Sequence, residues 1–288
     1  MAISAAGIIF SNLNDDTLSR LTADRTVAAI PFACRYRLVD FTLSNMVNSG
    51  IDKVGIITHN NYRSLMDHIG SGKDWDLARR KDGVKVVSPF QTANSSSAKL
   101  FATHMEALKS MKTEYIDQFK EEYVVLCDSD VVANIDIKKL ITYHKEKNAD
   151  ITVVTAHGDK PEGQNDMMNF GFDTDGRINS VNFEEARDCD YSLDTMVIGR
   201  QLLIDIVVSE INIGRVSLSH GIFGKGYNKY KIYGYKHNGY SAVIDSIDSY
   251  FKANLDLLSK DIREDLFSKQ NPVYTNSRDD MPVKYGLE

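Results

Sequence analysis

"KVGIITHNNYRSLMDHI" (residues 53–69) changes its period half-way along. The first part, Lys53 to Thr58, is a nearly continuous β-branched apolar run, the pattern of a strand covered on both faces. From Tyr62 onward the apolar residues recur as Leu65, Met66 and Ile69, the spacing of one helix face. The same alternation spreads outward from this stretch. "VKVVSP" (84–89), "YVVLCD" (123–128) and "DITVVTA" (150–156) read as buried strands, and "LFATHMEALKSM" (100–111) and "IKKLITYHKEK" (137–147) as helices. A strand that leads through a helix to the next strand needs a crossover connection. The pattern therefore predicts an α/β domain with a mixed, mostly parallel sheet flanked by helices.

Beyond residue 165 the signals become antiparallel. "FGFDTDGRINSVNF" (170–183) predicts a hairpin turning at its Asp-Thr-Asp-Gly, and "YGYKHNGYSAVI" (233–244) a second one turning at Asn238-Gly239. "IDSYFKANLDLL" (247–258) predicts an amphipathic helix packed back on the sheet. The final residues lack periodicity, so the reading is one domain over 1–275 and a linker over 276–288.

Composition excludes several classes. The chain has 288 residues, 42% of them hydrophobic and 26% charged, with a net charge of −6, which suits a soluble globular protein and disfavours nucleic acid as a partner. Cys34, Cys127 and Cys189 are far apart and form no CxxC pair. The expectation is buried free thiols in a reducing compartment, with no cysteine metal site. No leader pattern and no apolar run near 18 residues is visible, so the protein is expected in the cytoplasm, without membrane association.

Specific motifs narrow the reading. In "PFACRYRLVDFTLSNMVNSGIDKVGIITHNNYRSLMDHI" (31–69), Arg37, Asp40, Phe41, Leu43, Ser44, Asn45, Asn48, Ser49, Gly50 and Ile51 stand in an order that resembles the ADP-glucose pyrophosphorylases, the glucose-1-phosphate adenylyltransferases. "IDSIDSYFKANLDLL" (244–258) and "NPVYT" (271–275) resemble the late motifs of the same family. The resemblance implies a Rossmann-like, sugar nucleotidyltransferase-like fold, followed in the family by a left-handed β-helix domain. It also implies a reaction in which glucose-1-phosphate attacks the α-phosphate of ATP, helped by Mg²⁺ and cationic side chains.

The chemical parts of that family are altered here one by one. The family's glycine-rich phosphate loop corresponds to a stretch that has no glycine between Phe10 and Phe32. Thr17 replaces its arginine and Val27 its lysine, while Asp15 and Asp16 would repel a triphosphate. For the metal carboxylates, "LCDSDVVANID" (126–136) offers Asp128, Asp130 and Asp136. Asp130 is the vestigial catalytic candidate, with a solvated strand-end turn as the competing reading. Val243 stands at the second metal position, and Asp245 replaces a glycine beside it, so a Mg²⁺ site is not supported. Of the sugar-phosphate site, Glu184 (or Glu185) and Ser192 persist as vestigial substrate-binding residues, while Asp194 replaces a glycine.

The resemblance thus points to the regulatory, GlgD-type branch of the family, poorly catalytic or non-catalytic. It implies a catalytic GlgC-type subunit as partner in a hetero-tetramer, and a phosphorylated effector held near Arg35 and Arg37, with a surface or interface salt bridge as the competing reading of that pair. Two alternatives stay open: an active enzyme using displaced groups such as Asp130 with Arg20 or Arg25, and a stand-alone sensor of nucleotides or sugar phosphates. His59, His68 and His104 show no second ligand at helical spacing and read as core or surface histidines. Asp40, Phe41 and the helix "TLSNMVNSGI" (42–51) are read as packing or as subunit contact.

Overall fold

A computed structural model describes residues 3–11, 18, 20–58, 60–79, 81–88, 103–113, 115–159, 167–184, 186–209, 219–224 and 227–277. The first half contains β1 (Ala5–Phe10), β2 (Pro31–Phe32), β3 (Tyr36–Arg37), α1 (Leu38–Asn48), β4 (Lys53–Ile57), α2 (Arg63–Ile69) and β5 (Gly83–Val87). It continues with α3 (His104–Met111), β6 (Tyr123–Asp128), β7 (Val131–Ala133) and α4 (Ile137–Glu146). The second half adds β8 (Ile151–Gly158), β9 (Asn169–Phe172), β10 (Ile178–Asn182), β11 (Cys189–Gly199) and α5 (Arg200–Ser209). It closes with β12 (Ile232–Lys236), β13 (Ser241–Val243), α6 (Ile247–Asp256) and α7 (Lys260–Leu266).

β1 lies inside the main sheet with β4 on one side and β6 on the other, both parallel to it, and β5 extends the sheet beyond β4, again in parallel. β11 runs antiparallel to β6 and β8, and β12 is parallel to β8. β9 and β10 form the first expected hairpin beside the start of β11. Successive residues of a strand face opposite ways, so Ile9 enters a core with Val39, Leu43, Trp75 and Leu140, and Ile8 one with Leu108, Leu126 and Ile206. Helices α1, α2 and α4 contribute to the first core and α3 and α5 to the second, the two-sided cover that continuous apolar strands demand. The fold is the mixed, Rossmann-like sheet that the alternation and the family resemblance together predict.

Three expectations are corrected. Residues 233–244 do not form a hairpin: β12 pairs with β8 in the main sheet, whereas β13 pairs with β7 in a separate two-stranded sheet. The His237 N–H reaches Thr155 and the Ile244 N–H reaches Asp130, so the two arms leave in different directions. α6 does not pack on the main sheet. Its Ala253 and Leu257 join Phe32, Phe41 and Leu266 in a third core, and Asn254 accepts the Ala33 N–H at 3.1 Å across the β2–β3 turn. Of the thiols only Cys127 is buried, while Cys34 is exposed and Cys189 half-buried.

Asp40 and Phe41 are wholly inside. Asp40 accepts the Arg37 N–H that opens α1 and takes a 2.6 Å bond from His68 of α2. These residues serve packing and offer nothing to a docking partner. Residues 271–277 run as an extended strap over the same helices. Asn48 donates to the Pro272 carbonyl, the Tyr274 N–H donates to Ser44, and Asn276 donates to the His68 carbonyl. Among the described residues no helix is long and apolar enough to cross a membrane.

Candidate functional site

The strand order reverses at β1: the chain steps outward through β4 and β5 on one side, and through β6 on the other. In open α/β sheets the crevice beyond the carboxyl ends of the strands at such a reversal is where ligands bind. Here those ends are Phe10 of β1 and Asp128 of β6. Between them is a cavity of about 20 Å³, lined also by His104, Cys127, Asp194, Met196 and Ser219. That is room for about one water molecule.

Among the described residues, the side chains of His104, Asp128 and Asp194 converge on this cavity. Thr103 caps α3 by accepting the Glu106 N–H, which places His104 in the first turn, its ring edge-on to Phe10 at 4.4 Å. His104 Nε2 donates to both oxygens of Asp128, at 2.8 and 2.9 Å. Burial pulls the imidazole's pKa down, but the Asp128 carboxylate outweighs it and the value ends above the ordinary one. Across the cavity, β11 slips register between Ser192 and Met196, and in that irregular stretch Asp194 adopts φ +42°. Ser192 Oγ accepts the Asp194 N–H at 3.0 Å and donates to its carboxylate at 3.1 Å. Burial, and then the neighbouring Asp128 and Asp130, hold the Asp194 carboxyl well above the usual carboxylate range. Burial likewise pushes the Cys127 thiol up to about 12, so it is no nucleophile.

Comparisons with known proteins bear on this geometry. The model of the family described as "Nucleotidyl transferase" matches residues 15–183. A "Glycogen biosynthesis protein GlgD" of Bacillus subtilis is 32% identical over 284 residues, which is 97% of this chain and 71% of the relative. One of the same description from Geobacillus stearothermophilus is 34% identical, over 98% of this chain and 72% of the relative. A "Glucose-1-phosphate adenylyltransferase" of Mycoplasma mobile is 32% identical over 92% of this chain. The chain belongs to the nucleotidyl transferase family. Within it, the GlgD proteins and the glucose-1-phosphate adenylyltransferases are its relatives.

Against that membership the nucleotidyl transferase residues can be placed. Asp128 and Asp130 are both buried, which overturns the solvated-turn reading. Both Asp128 oxygens hold His104, and position 243 is a buried valine in β13. Among the described residues no group of three His, Cys, Asp or Glu stands ready to hold a metal. Ser192 comes to the cavity edge through Asp194, whereas Glu184 is exposed after β10 and is not among the cavity-lining residues. Val27 is buried in a single helical turn, Arg20 is exposed, and Arg25 pairs with its neighbour Asp24. Asp15, Asp16, Thr17, His59 and Glu185 lie outside the described residues. Arg35 is exposed between β2 and β3, while Arg37 donates to the Ala29 carbonyl and to Ser64 of α2. His104 is the site residue that the sequence did not reveal, since its partner is 24 positions away and no spacing rule joins them.

A left-handed backbone costs a non-glycine residue roughly 1–2 kcal/mol, against about 0.5–1 for the freedom a glycine loses on folding. Asp194→Gly is therefore expected to stabilise the chain by about 1 kcal/mol. Because the folded pKa of Asp194 is raised, its carboxyl favours the fold at low pH, and that contribution is lost as pH rises through the folded value. The gain should be larger at pH 8 than at pH 5. Thermal unfolding at both values checks this, and an equal or reversed difference would contradict it.

Proposed function

We propose that this protein acts in glycogen synthesis as the regulatory, poorly catalytic or non-catalytic member of a hetero-tetramer. Its partner is the catalytic GlgC-type subunit, which makes ADP-glucose from ATP and glucose-1-phosphate. The observation that carries the reading is the crevice at the β1–β6 reversal. The chain's own His104, Asp128 and Asp194 occupy the place where a nucleotidyl transferase needs open space and free cations. The GlgD relatives, similar over nearly the whole chain, supply the branch and the pathway. Arg35, exposed in the β2–β3 turn, is the residue we assign to a phosphorylated effector. Residues 276–288 are the linker to a following β-helix domain in this reading.

The test is steady-state ADP-glucose formation by the complete gene product, alone and after co-expression with a differently tagged catalytic subunit. We expect no turnover alone, co-purification of the two subunits, and a raised kcat or effector sensitivity of the partner. Ordinary turnover alone, on the order of 1–10³ per second, or a partner neither bound nor altered, would defeat the reading.

A further inference from the structure

We propose that Asp194 is the residue that closes this crevice to phosphate-bearing ligands, its side chain standing as an internal occupant where the anionic group of such a ligand would enter. The inference rests on the crevice being the remnant of a nucleotide or sugar-phosphate site, as proposed above.

Position comes first. The Asp194 carboxyl lines the cavity at the strand-order reversal, opposite the ends of β1 and β6. The backbone comes second. At φ +42° this stretch of β11 has a shape that glycine takes freely and aspartate takes under strain, so the side chain is held in the cavity against a local cost. Fixation comes third. Ser192 binds both the backbone N–H and the carboxyl of Asp194, and so pins the occupant rather than letting it turn away. Charge comes last. Among the described lining residues His104 is the one able to be cationic, and both Asp128 oxygens engage it, while Asp130 adds a buried carboxyl nearby. An entering phosphate would have to displace Asp194, and among the described lining residues it would meet no uncommitted positive group.

Calorimetric titration with ATP in the presence of Mg²⁺, and separately with glucose-1-phosphate, tests this on the wild type, Asp194→Gly, Asp194→Asn and Ser192→Ala. The wild type should not saturate below about 5 mM, and Asp194→Gly should bind at least one probe roughly tenfold more tightly. Asp194→Asn, which keeps an occupant of the same shape, should stay near the wild type. Ser192→Ala, which leaves the occupant unpinned, should fall between the wild type and Asp194→Gly. Thermal scans confirm that each variant is folded. The proposal is overturned if Asp194→Gly binds no more tightly, or if Asp194→Asn gains as much as Asp194→Gly. Micromolar binding by the wild type would instead overturn the closed-crevice reading on which the proposed function stands.

Discussion

Replacing Asp40 by alanine should cost about 2–4 kcal/mol of stability, about 1–3 for a buried polar group left without its partner and about 1 for a lost helix cap. The Asp40 and His68 side chains are both fully buried, and they meet at 2.6 Å. Asp40 also accepts the Arg37 N–H at the start of α1, so the variant loses a helix cap as well as the partner of His68. The cost arises mainly because a polar imidazole is left in the core without its acceptor. For a chain of this size the unfolding midpoint should drop by on the order of 10 °C. The double variant Asp40→Leu with His68→Leu should lose less than the two single variants summed, because neither the imidazole nor the carboxyl is then left without the other. A single Asp40→Ala variant within about 1 kcal/mol of the wild type would show that the pair is not a structural keystone.

The protein should also lose stability on mild acidification, through His144. This residue lies buried on α4, its Nδ1 2.8 Å from the Thr152 hydroxyl of β8, and Tyr123 meets the ring edge-on. Burial lowers its pKa to about 4, against the smaller opposing pulls of Asp150 and Glu122. The folded value is below the unfolded one, near 6.5, so the unfolded chain takes up the proton first as pH falls. The stability is thus fully present above about pH 6.5 and is lost as pH falls toward about 4, to a total of about 3 kcal/mol. Asp194 and His104, whose folded values are raised, contribute in the opposite direction, favouring the fold at lower pH. Denaturant titrations from pH 7 to pH 4 separate the contributions. His144→Gln should flatten the acid limb, and an unchanged slope in that variant would assign the loss to other groups.

What the sequence disclosed was local. The change of period at 53–69 was enough to place β4 and α2, because a doubly covered strand and a helix with one apolar face write different patterns. The replacement of a glycine at position 194 was equally visible. Its consequence was not, since it depends on a register slip between β11 and β8 that no single segment encodes. The 233–244 stretch misled for a related reason. Asn-Gly favours a tight hairpin turn, yet neither residue has a positive φ here, because the flanking strands find partners in two different sheets. His104 with Asp128, and Asp40 with His68, join elements distant in sequence and become visible only once the sheet has assembled.

The strap at 271–277 bears on when this domain can finish folding as it is made. Its bonds to Ser44 and Asn48 span more than two hundred positions, and they are formed by side chains rather than by a sheet ladder. Domains tend to fold during synthesis from the amino-terminal end. In the nascent chain α1 can dock on the sheet early, and its Ser44 and Asn48 then remain hydrated until residues 272–274 emerge from the ribosome. Their docking adds single hydrogen bonds to Ser44 and Asn48 and packs Val273 against the third core. Residues 271–277 should therefore close late in each folding cycle.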